Sequence, residues 1–422
     1  MTEPGDRPPR LGAAAALRIR DFRLFWLSSV ATGLALSMSQ VAVGWQVYEL
    51  HGRPLDLGLV GLAEFVPLPL LALPAGHLAD RLPRRSLFAV STLFDLAAIA
   101  GLLVVTIVGT TSLWPFLLLA FATGVASAIG APPARALTPS IVPPELLAGA
   151  FATRSSGVQF AVIAGPALGG LLFSIRPELV YALGCGLIVA ALGFALAMRV
   201  GRTPAGAGAP TLDSVLAGVR LVRRTPVLLG AISLDLFAVL FGGAVVLLPV
   251  FAKDVLDVGP TGLGVLRSAP AVGALLAALV LARRPIARRA GRTLFLAVGA
   301  FGLSIVVFGL SHSLWLSIGA LAASGATDMA SMVLRATIVP LVTPDELRGR
   351  VNAVEMVFIS ASNELGAFES GVAAALIGAV PAVVVGGLAT IAIALVWPRL
   401  FPQLGRVDRL ADLRPVEVAT PG

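Results

Sequence analysis

Seven carboxylates stand inside long apolar stretches of this chain: Glu64, Asp95, Asp235, Asp328, Glu355, Glu364 and Glu369. In such surroundings a carboxylate either holds and releases a proton or pairs with a cation. Spacing begins to sort them. Asp328 and Arg335 are seven residues apart, about 20° from the same face of a helix, and read as a gating or structural pair. Glu355 lies near Arg350 and reads as half of an ion pair at the edge of its stretch. Glu364 and Glu369 are five residues and roughly 140° apart, so they do not both face one cavity well. Asp95 is the lone charge between Ser86 and Trp114. Asp235, Glu364 and Glu369 are therefore the candidates for reversible protonation, Asp235 and Glu364 ahead of Glu369.

Other chemistries lack their residues. His51, His77 and His312 all stand at the ends of apolar stretches, so no histidine relay is expected. Cys185 is alone, which excludes an internal disulfide and a cysteine-built metal site. The lone lysine, Lys253, follows Ala252, so no G-K-[ST] phosphate loop is present. Neither G-x-S-x-G nor H-E-x-x-H occurs. The expectation is a protein that is no enzyme and carries no metal and no cofactor.

The elements holding these acids follow from composition. Of 422 residues 57% are hydrophobic and 13% charged, with a mean hydropathy of +0.93. Soluble domains run to roughly 25% charged. Apolar runs of about 20 residues, enough to cross a hydrocarbon core, recur along nearly the whole chain. Twelve spans are expected, over 22–49, 57–79, 86–109, 112–134, 150–174, 178–198, 226–252, 260–282, 293–311, 313–334, 351–378 and 380–397. The fold class is an all-α membrane protein, because a helix is the open-chain element that satisfies its own backbone in lipid.

The net charge of +8 reads as topology rather than as nucleic-acid binding. With the N-terminus on the cytoplasmic side, every basic residue except Arg53, Arg176, Lys253 and Arg267 falls on that side. Both termini are expected in the cytoplasm, and the N-terminal stretch has no signal-peptide pattern. The chain divides into a tail (1–21), a six-helix bundle (22–200), a linker (201–225), a second bundle (226–398) and a tail (399–422). Within the linker, LDSVLAGVRLV reads as an amphipathic helix on the membrane surface.

The two bundles repeat one another. RALTPSIVPPELLAGAFA from Arg135 matches RATIVPLVTPDELRGRVN from Arg335. At an offset of 203, Gly61 aligns with Gly264, Pro67 with Pro270 and Glu64 with Arg267. The opposite charges of Glu64 and Arg267 suggest an outer gate. Arg135, Arg335 and Asp328 suggest a cytoplasmic one.

Between spans 2 and 3 the chain reads GHLADRLPRR, which resembles the signature loop of the major facilitator superfamily. The resemblance implies a conformational-switch loop. Gly76 would permit close helix approach, Asp80 would cap a neighbouring helix, and Arg81, Arg84 and Arg85 would meet carboxylates as the cytoplasmic side closes. GPALGG in span 5, with Gly165, Pro166, Gly169 and Gly170, resembles the packing motif of efflux-type members. Residues 328–371 resemble the bacterial branch that includes the enterobactin exporter and macrolide efflux carriers. The superfamily's paired halves imply transport by alternating access.

The expected function is proton-coupled export of a small molecule, a siderophore, drug or other lipophilic metabolite, by a monomer in a bacterial plasma membrane. Import or symport of a small solute, or lipid flipping, are the alternatives. A membrane sensor fits less well because no soluble output domain is appended.

Overall fold

The computed structural model describes residues 13–200 and 212–415. The first part of the expected linker and both outermost tails lie outside the described residues. The chain runs through α1 (Arg20–His51), α2 in two segments (Pro54–Phe65 and Pro67–Arg81), α3 (Arg84–Val108), α4 (Trp114–Ile141), α5 (Leu147–Ile175) and α6 (Pro177–Ala197). A linker helix, Leu212–Arg224, follows. The second bundle holds α7 (Pro226–Gly242), α8 (Gly259–Arg283), α9 (Ala290–Gly309), α10 (Leu314–Val342), α11 (Arg348–Ile377) and α12 (Ala379–Leu400). Among the described residues eleven helices are long and apolar enough to cross a membrane; α11, with Arg348, Arg350, Glu355, Glu364 and Glu369, is not one of them.

Local chemistry sets the helix ends. Proline opens α2, α6 and α7 at a position where a missing N–H costs nothing. Gly52 and Gly109 close α1 and α3 in the left-handed conformation, with φ of 63° and 69°. The helices outrun their apolar stretches: α4 continues to Ile141 through Pro132, Pro133 and Pro139, and α10 to Val342 through Pro340. α2 is interrupted at Val66, just before Pro67. The long seventh stretch is helical only to Gly242. It continues as a 3-10 turn (Ala244–Leu247), a short α-turn and a π-turn (Phe251–Val255). Such π-turns favour functional positions.

The linker helix corrects one expectation. Val219, Leu221 and Val222 pack onto the second half at α7 and α11, with Val222 buried among Leu228, Val351 and Val354. Gly218 makes this possible, since a Cβ there would lie 2.8 Å from the Arg350 carbonyl oxygen. Arg220, Arg223 and Arg224 remain exposed.

The two bundles meet along α2–α11 and α5–α8. Among the described residues, the hydrogen bonds and ion pairs joining them run from mid-bundle to the end opposite the termini. The Gln159 side-chain amide donates to the Ala271 carbonyl at 2.8 Å, and the Ser268 hydroxyl to the Ile163 carbonyl at 2.7 Å. Farther along, Gly170 approaches Pro260 and Gly264 so closely that a Cβ would meet the Gly264 Cα at 3.0 Å. The halves are thus joined by such bonds at the end opposite the termini.

Candidate functional site

Between the halves lies a cavity of about 530 Å³, within the range of roughly 300–1,000 Å³ typical of small-molecule sites. Its walls are mostly apolar, from Leu36 and Val43 of α1 to Phe301 and Ile305 of α9. Charged and amide side chains interrupt them at Gln40, Glu64, Arg267, Asp328, Asn363 and Glu364, with Ser39, Thr123, Ser127 and Ser324 also in the wall.

Four of these converge from four helices. The Arg267 guanidinium on α8 donates to the Gln40 side-chain oxygen on α1 at 3.1 Å. It also interacts electrostatically with Glu64 of α2 and Glu364 of α11. Small residues permit the convergence. A Cβ on Gly61 would crowd the Ala367 Cβ of α11 at 3.3 Å, and one on Gly124 of α4 would strike the Glu64 backbone. Glu64 and Arg267, expected as an outer pair, line the cavity itself and share it with Glu364. Glu369 does not line it; its carboxylate contacts the Ser370 hydroxyl at 3.4 Å.

A second cluster lies within the C-terminal half. Arg335 and Asp235 form an ion pair at 2.7 Å, with side chains 6% and 8% exposed. The expected partner of Arg335 was Asp328. The structure corrects this: two turns along one helix separate them by about 10 Å of rise, while α7 places Asp235 directly opposite Arg335. Asp328 nonetheless interacts electrostatically with both and opens onto the cavity. Glu355 adds a further acid to the same cluster. Asp95 is also buried, with one carboxylate oxygen lacking a hydrogen-bond partner and Glu64 as an electrostatic neighbour.

The repeat partner of Arg335 behaves differently. Arg135 is exposed and acts electrostatically on Arg154, whose guanidinium stacks 5.5 Å from the Phe25 ring centroid. The side chain of Asp80 lies outside the described residues. Around Gly76 a Cβ would meet nothing within 4 Å, so the close approach expected there is absent. Arg81 is exposed. Arg84 donates to the Ala136 carbonyl of α4 at 3.3 Å and Arg85 to the Leu196 carbonyl near the end of α6. In span 5, Gly165 and Gly169 face Ser37 and Met38 of α1, whereas Pro166 and Gly170 face Gly264 of α8.

A third cluster went unread in the sequence. At the closed end the Tyr48 hydroxyl donates to the Asp254 carboxylate, and Lys253 reaches Glu49 at 4.0 Å. The Lys253 ammonium also lies 5.9 Å from the Tyr48 ring centroid. These contacts tie the end of α1 to the π-turn after α7. Lys253 being the chain's lone lysine was the available signal.

Comparison with known proteins agrees with this geometry. Residues 11–414 match the family described as "Transmembrane secretion effector". The chain is 27% identical over 342 residues to the enterobactin exporter EntS of Shigella dysenteriae, covering 79% of this chain and 80% of the relative. It is 28% identical over 343 residues to EntS of Escherichia coli O1:K1, with the same coverage. Among solved structures it resembles the inward-facing bacterial homologue of the lysosomal transporter Spinster, with a TM-score of 0.71, 16% identity and coverage of 95% and 98% of the two chains. It also resembles an inward-facing bacterial homologue of the iron transporter ferroportin, with a TM-score of 0.67, 17% identity and coverage of 92% and 99%. The chain belongs to the transmembrane secretion effector family of major facilitator superfamily transporters.

Proposed function

We propose that this transporter exports a small, largely apolar molecule from a bacterial cytoplasm by alternating access, drawing on a proton gradient. The observation carrying the reading is the cavity, sealed at one end by contacts between the halves and holding carboxylates among apolar walls. The export direction is supported by the relatives named as enterobactin exporters. The concentration of arginines at the terminal end argues that this end, and both termini, face the cytoplasm. A monomer provides both halves of the cavity.

In this reading Glu364 carries the proton at the cavity, and Asp235 is a second carrier whose pairing with Arg335 changes during the cycle. Glu369 is a weaker candidate because it does not line the cavity. Glu64 and Arg267 form the inner face of the external gate, and Tyr48–Asp254 its outer face. Arg135, Asp328 and Arg335 act at the cytoplasmic gate. The segment from Gly76 through Asp80 and Arg81 to Arg84 and Arg85 acts as the switch, with Arg84 and Arg85 bonded to α4 and α6.

Cells lacking their own broad exporters and expressing this chain test the reading with two fluorescent solutes, neutral Nile red and cationic ethidium. Lower steady-state accumulation of at least one, abolished by a protonophore, is expected. Unchanged accumulation of both refutes export. Export that survives the protonophore refutes proton coupling.

A further inference from the structure

We infer that the cavity selects amphipathic organic cations, molecules with one positive centre on an apolar frame, over anions of the same size. This rests on the transport reading and adds the charge sign of the substrate. Three carboxylates, Glu64, Glu364 and Asp328, face the cavity against one guanidinium, Arg267. No lysine or histidine lines it. Arg267 is already engaged by Gln40 and lies between Glu64 and Glu364, so its charge is shared before any ligand arrives. What remains uncompensated on the wall is acid. Apolar walls keep the local dielectric low, so that excess acts on a ligand more strongly than it would in water.

The cavity thus offers an excess of carboxylate within mostly apolar walls. An ammonium or other onium group beside Glu364, with its hydrocarbon portion along Phe301 and Ile305, meets each of these features. An anion of equal bulk finds one guanidinium, already shared, and faces repulsion from three acids.

The test uses the full chain in lipid nanodiscs and two rigid ions nearly identical in shape, tetraphenylphosphonium and tetraphenylborate. Binding is measured by equilibrium dialysis against empty nanodiscs. Saturable binding of the cation, at least ten-fold tighter than of the anion, is expected. Glu364→Gln should weaken cation binding at least five-fold. Arg267→Gln should tighten it several-fold, a direction that misfolding does not imitate. Equal or tighter binding of tetraphenylborate overturns the inference. Cation binding that is unchanged by Glu364→Gln and weakened by Arg267→Gln overturns it too. Saturable binding of neither ion also overturns it, while the export reading still stands or falls on the cell assay.

Discussion

Removing the Arg335 guanidinium leaves Asp235, Asp328 and Glu355 near one another without their counter-charge, whereas removing the Asp235 carboxylate leaves Arg335 beside two other acids. The two losses are therefore unequal. Breaking a buried pair from one side costs about 3–5 kcal/mol when nothing replaces the lost partner. Arg335→Gln is expected to show a loss of this order in detergent unfolding, and Asp235→Asn a distinctly smaller one. Equal losses would mean that Asp328 and Glu355 do not substitute for Asp235. Individual residues were only partly legible beforehand. Each buried acid stood out because lipid penalises charge, but the partner of Arg335 did not. The same-helix acid seven residues away looked suitable, and the true partner lies 100 residues distant on α7, a relation that helical periodicity does not encode.

At the scale of elements, the junction between α1 and the π-turn after α7 holds the closed end. Tyr48 is buried and donates to a carboxylate, an interaction worth about 1.5–3 kcal/mol. The Lys253–Glu49 pair is 37% and 54% exposed and contributes about 0–1 kcal/mol. Tyr48→Phe should thus shift the balance between conformations roughly ten-fold toward opening at this end, and Lys253→Ala no more than a few-fold. Distances between spin labels on Arg53 and Asp257 would report the shift. Identical distance distributions in Tyr48→Phe and the unsubstituted protein would remove this contact from the gate. Apolar length located the spans well, because hydropathy reads burial in lipid directly. It missed the break at Gly242–Gly243 and the docking of Leu212–Arg224, since both depend on neighbours. An amphipathic helix shows the same pattern whether its apolar side meets lipid or α11.

Across the whole molecule, the halves are held by α5–α8 and α2–α11 as well as by the chain between them. The linker helix is docked on the second half, against α7 and α11. A protease site inserted between Arg199 and Leu212 and then cut should leave the two halves co-purifying as one particle. Separation on cleavage would show that the covalent link, rather than the helix contacts, keeps them together. Gly170→Leu addresses the same interface from within. Its side chain would have to displace Pro260 and Gly264, so α5 and α8 should part and export should fall at least ten-fold at equal membrane levels. The paired-bundle plan was legible from the repeat at Arg135 and Arg335. The state of the molecule, sealed at one end, was not, because one sequence serves both states.

The composition of α11 has a further consequence, for how the protein is made. A charge at the centre of a membrane helix costs about 2.5–3.5 kcal/mol at insertion, and Glu364 and Glu369 lie in the latter half of a helix that also begins with Arg348 and Arg350. Such a segment enters lipid poorly by itself. Its neighbours α2 and α7 are synthesised long before it, and Arg267 already stands where Glu364 will arrive. The expectation for biogenesis is that α11 is received by a groove between its already inserted neighbours instead of partitioning alone. A glycosylation-tagged reporter carrying only α11 should insert inefficiently, while the same helix should insert in the full chain. Arg267→Leu should lower the yield of correctly inserted protein even where it leaves the mature fold undisturbed.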